Sequence, residues 1–70
     1  ELLLLASERV RLRVRPQTWN AFERTAIRGV PGQQVANELE MNLPAVYKAR
    51  SNVTRFLREE VERLERTDFE

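Results

Sequence analysis

The residues present limit the chemistry available to this chain. It has no cysteine and no histidine. A thiolate nucleophile, a thiolate metal site, the commonest general base and the commonest metal ligand are therefore absent. The carboxylates are scattered, so no nucleophile–base pair can be assembled. Catalytic residues, bound cofactors and metal ligands are each expected to be none, and the chain is not expected to be an enzyme. What remains is cationic. Pro44, Tyr47, Lys48, Ser51, Arg55 and Arg58 fall on one side of a helix drawn at about 3.6 residues per turn. That side carries cations, a hydroxyl and an aromatic ring, with no carboxylate. Such a set suits a phosphate backbone with a base edge between the charges. Taken alone, it equally suits the solvated side of an ordinary amphipathic helix.

The elements that would position these side chains can be read from local signals. Asn42 is a good N-cap, because its side-chain oxygen can accept from an unpaired N–H in the first turn. Pro44 stands in that turn, where a missing N–H costs nothing. Neither glycine nor proline comes after it, so a helix over about 43–66 is expected, with Val46, Ala49, Val53, Leu57 and Leu64 as its apolar stripe and Phe56 beside it. A short helix over 32–39 precedes it, with Val35, Ala36 and Leu39 inward. The turn Glu40-Met41-Asn42 joins the two, which is the geometry of a helix-turn-helix. Ala36 is the small residue at the close approach, and Met41 plugs the turn. Many such turns begin with glycine; here Glu40 must adopt the left-handed conformation or the turn must differ. Gln33 and Gln34 stand in the first turn of the short helix, where N–H groups and the dipole favour an anion; solvated surface is the plainer reading.

The first part of the chain is ambiguous. Leu2, Leu3, Ala6, Val10 and Val14 share a helical face, whereas Arg9 to Arg15 alternates as a strand would. Nothing else alternates and a lone strand is unstable, so a helix over 2–14 is expected. Leu4, Leu5 and Leu12 lie off its core stripe. They either contact another chain or a further domain, or pack within this one. Pro16 opens a second helix, over 16–28, with Trp19, Phe22, Ala26 and Ile27 facing the core. Gly29 ends it in the left-handed conformation.

Seventy residues make one small domain that buries roughly 60% of its unfolded surface. No run approaches the roughly 18 apolar residues of a membrane span, and there is no basic leader. No membrane partner is expected, and the lack of cysteine fits a cytoplasmic protein. The start at Glu1 rather than Met suggests a piece of a longer chain. Net charge is +1 but unevenly spread. From Arg9 to Arg58 ten cations face three acids, a net +7; from Glu59 to Glu70 the balance is −4. Such asymmetry points to a polyanion near the middle. The fold class expected is all-α: four helices with the helix-turn-helix in the C-terminal half.

The run from Gly29 to Tyr47, with V-A-N-E-L from Val35 to Leu39, the turn, Asn42 and Ala45-Val46, resembles region four of bacterial sigma factors. Ala45 to Ser51, followed by Arg55 to Glu59, is most similar to the extracytoplasmic-function group. The resemblance covers about residues 10–62. It implies a four-helix DNA-binding domain whose last helix reads the promoter −35 element and whose earlier helices hold the β-subunit flap of RNA polymerase. It implies double-stranded promoter DNA and RNA polymerase core as partners; an anti-sigma factor would be a further one. The DNA-facing positions it implies are Pro44, Ala45, Tyr47, Lys48, Ser51, Asn52 and Arg55, to which Arg58, Gln33 and Gln34 are added as backbone contacts. Lys48, Arg50, Arg55 and Arg58 would neutralise phosphates. Sequence-specific promoter binding that directs transcription initiation is thus the expected function. The alternatives are a LuxR-type response-regulator output domain and a helical protein–protein interaction module with no DNA role.

Overall fold

A computed structural model describes residues 1–68 of the chain. It is all-α. Helix α1 spans Leu2–Arg13, α2 Pro16–Phe22, α3 Gly32–Leu39 and α4 Leu43–Asp68, and among the described residues there is no strand. The alternating run Arg9 to Arg15 thus does not become a strand. At 26 residues α4 is about 39 Å long and sets the 45 Å long axis of the molecule.

Every other helix packs on α4. Its first half meets α2 and α3 through Ala21, Val35, Ala36, Val46 and Ala49, with Val30, Leu39 and Met41 closing the edge. A second cluster joins Val10, Phe22 and Val53, with Val14, Trp19, Phe56 and Leu57 around it. Trp19 lies tilted against Phe22 at 5.2 Å between ring centroids. Helix α1 runs antiparallel to the second half of α4, since Arg13 reaches Phe56 and Glu60 while Arg9 reaches Glu60.

The second helix differs from a plain helix over 16–28. After Phe22 the chain widens into a π-helical turn, Glu23–Ile27, in which the Arg28 N–H donates to the Glu23 carbonyl and the Val30 N–H to that of Arg24. Thr25 stands four residues after Ala21 and three after Phe22, on their side of the helix. Thr25 is buried where Ala26 and Ile27 were expected, and both of those are exposed, Ile27 at 63%. The Thr25 hydroxyl donates to the Ala21 carbonyl at 2.7 Å, which satisfies a polar group held inside the core. Gly29 then adopts φ 73° and ends the element.

The connection from α3 to α4 is tight. Glu40 takes the left-handed conformation, φ 55° and ψ 44°, and the Met41 N–H donates to the Ala36 carbonyl at 2.9 Å. That is the wide hydrogen bond of a Schellman motif, with the Met41 side chain packed back on the Ala36 cluster. From α2, the Gln17 side-chain amide donates to the Leu39 carbonyl at 2.7 Å and satisfies another open end of α3. Asn42 accepts from the Ala45 N–H at 2.8 Å, so α4 starts on a side-chain cap.

Candidate functional site

Because Val46, Ala49 and Val53 turn inward, the opposite side of α4 faces solvent. Tyr47, Arg50, Ser51, Thr54, Arg55 and Arg58 line one shallow concave surface there. Pro44 and Lys48 are exposed on the same side, in the first two turns. Asn52 and Ala45 sit differently. Each is half-buried and rotated more than about 100° from Tyr47 around the helix, so they flank this surface rather than form it. The backbone of Ala45 is also engaged, by the Asn42 cap.

Gln33 and Gln34 are exposed in the first turn of α3. Both are already hydrogen-bonded along their own helix: Gln33 Nε2 donates to Asn37 Oδ1, and Gln34 Nε2 to Glu38 Oε2, each at 3.1 Å. Arg24 reaches the other oxygen of Glu38 at 3.0 Å. This end of α3 is therefore a bonded polar patch beside the α4 surface.

The cations fall into two groups. Arg9, Arg13 and Arg63 surround Glu60, and Arg24 and Arg28 pair with Glu38 and Glu23. Among the described residues, Lys48, Arg50, Arg55 and Arg58 enter no ion pair, nor do Arg11, Arg15 and Arg66, which lie away from this surface. Arg55 is oriented instead by an aromatic ring, its guanidinium 5.1 Å from the centroid of Phe56. Four fixed or solvated positive charges on one side of a helix, with no acid among them, favour an extended polyanion over a compact one.

Thr54 belongs to this surface and was not among the expected positions. It stands seven residues beyond Tyr47 and three beyond Ser51, so helical spacing marks it. Its hydroxyl donates to the Arg50 carbonyl at 2.7 Å. Glu60 is the other unforeseen residue. It is 2% exposed and held by Arg9 Nη1 at 3.2 Å, Arg13 Nη1 at 3.4 Å and Arg63 Nη2 at 3.2 Å. It lies on the far side of α4 from the basic surface and serves to clamp α1.

Among the described residues no group of acids is placed to hold a metal ion, and no helix is long and apolar enough to cross a membrane. Compared with protein-family models, curated proteins and solved structures, the chain matches none.

Proposed function

We propose that this chain is a region-four-like domain of an extracytoplasmic-function sigma factor, which binds the promoter −35 element as duplex DNA while held on RNA polymerase. In this reading α3 and α4 are a helix-turn-helix and α4 lies in the major groove. Lys48, Arg50, Arg55 and Arg58 contact phosphates. Tyr47, Lys48 and Ser51 reach base edges or a thymine methyl. Gln33 and Gln34 steady the backbone from α3. The module binds and does no catalysis, and it works in the cytoplasm. The observation that carries the reading is the unpaired cationic side of α4, directly after a capped, tight turn.

The experiment is a fluorescence-anisotropy titration of duplex DNA at several salt concentrations. Non-specific dissociation constants of roughly 10⁻⁴–10⁻⁶ M are expected at physiological salt. Arg58→Ala should weaken all sequences alike and reduce the salt slope by about one. Lys48→Ala should also relax preference at one or two base pairs. Arg66→Ala, about two turns beyond Arg58 on an acidic stretch, should change little. If Lys48→Ala and Arg55→Ala leave affinity and slope untouched, α4 is not the reader.

A second reading has its own observation. Leu3, Leu4, Leu5 and Leu12 are exposed on α1, Leu12 at 88%. Within the sigma-factor reading this apolar surface helps hold the polymerase flap. Without DNA binding, it would be the working surface of a protein–protein interaction module.

A further inference from the structure

We propose that Gly32 is a positioning residue for Tyr47, and that the pose it permits sets part of the base preference of α4. The inference rests on the DNA reading above and goes beyond it, to what fixes one of its contacts. Glycine is not needed at 32 for its backbone, since among the described residues only Gly29 and Glu40 have positive φ. Its missing side chain is what matters. A Cβ placed on Gly32 would lie 2.8 Å from the Tyr47 hydroxyl oxygen and 2.9 Å from Cζ, closer than real contacts allow. Tyr47 is thus folded back over the start of α3, in the space that any side chain at 32 would take.

The consequence is specific to Tyr47. The atoms in the way are the far end of a flexible side chain that is 49% exposed. A methyl group at 32 would swing the ring and leave the backbone where it is. Gly32 is the first residue of α3 and has no positive φ, so alanine can take its backbone conformation without strain. The ring and hydroxyl of a tyrosine can meet a thymine methyl or a base edge only from where they are held. Arg50, Ser51 and Thr54 line the same surface, so a displaced ring changes what is presented beside them.

Tyr47 is the only tyrosine. Incorporating 3-fluorotyrosine therefore gives one ¹⁹F resonance that reports its surroundings without DNA. In Gly32→Ala that resonance should shift while helical circular dichroism is unchanged and the melting temperature does not fall. An unmoved resonance overturns the proposal. The second arm selects bound sequences from a library of random duplexes with wild type, Gly32→Ala, Tyr47→Ala and the double variant. Gly32→Ala should change discrimination about fivefold at the base pair that Tyr47→Ala affects. The salt slope should stay as in wild type, because no charge is removed. The double variant should equal Tyr47→Ala, as it must if Gly32 acts through Tyr47. A Gly32→Ala effect that survives without Tyr47, or a moved resonance with unchanged preference, also overturns it. If wild type binds no duplex, the DNA reading falls and takes the preference with it. The fluorine measurement distinguishes that failure from a failure of Gly32 to hold the ring.

Discussion

At the scale of single residues, the turn before α4 contains one strained choice and one good one. Glu40 is a non-glycine residue in the left-handed region, and its carboxylate sits at the negative end of α3. Glu40→Gly is expected to stabilise the domain by about 1 kcal/mol, read as a higher denaturation midpoint with an unchanged slope. Asn42 does the opposite. Removing its cap in Asn42→Ala should cost about 1 kcal/mol. Both residues were legible in the sequence, because caps and C-terminal turns depend on neighbours a few positions away. Glu60 was not. Its partners Arg9 and Arg13 are 51 and 47 residues distant, and no local pattern links them. Glu60→Ala should cost about 2 kcal/mol, less than the roughly 3–5 of a wholly buried pair, since the three arginines are half exposed and can turn to water. Glu60→Leu should be close to neutral in the same melt. A loss as large as that of Glu60→Ala would show that the charge, and not the filled space, holds α1 down.

At the scale of elements, the stripe Val46, Ala49, Val53 and Leu64 was readable from its period, since one long helix keeps its register. Leu57 keeps that register but is only half-buried. Val46→Ala should therefore cost about 2 kcal/mol, more than Asn42→Ala, and Leu57→Ala should fall below the usual range for a fully buried leucine. Urea midpoints for the three variants check the order; Asn42→Ala as the worst would contradict the packing of α4. The second helix is less legible. At about 100° per residue Thr25 falls between the buried Ala21 and Phe22, and Ile27 falls nearly opposite them. An expectation that follows apolar type passes over a hydroxyl that can be buried by bonding to the Ala21 carbonyl. The π-helical turn Glu23–Ile27 is a separate departure from the plain helix. Nothing in the composition of that stretch announces the wider turn. The candidate surface was largely legible for the opposite reason. Tyr47, Lys48, Ser51, Arg55 and Arg58 lie on the regular part of α4, whereas Asn52 and Ala45, taken from the resemblance, fall on its flank.

At the scale of the molecule, charge is divided between the two ends of α4. The exposed side is cationic up to Arg58, and beyond it stand the exposed acids Glu59, Glu62 and Glu65. Glu62 is four residues beyond Arg58 and seven beyond Arg55, so it continues the same side of the helix. On the proposed reading, that acid marks where the DNA contact ends. Glu62→Lys should extend the contact, raising affinity for every duplex and steepening the salt slope by about one. Glu60→Gln gives a control that also makes the chain more positive. Its carboxylate is buried against Arg9, Arg13 and Arg63, away from the basic surface. If the position of charge decides binding, Glu60→Gln should leave the slope unchanged while Glu62→Lys moves it. If both variants move affinity in proportion to their change in net charge, the interaction is a diffuse attraction to the whole molecule, and the proposal of a defined reading surface on α4 fails.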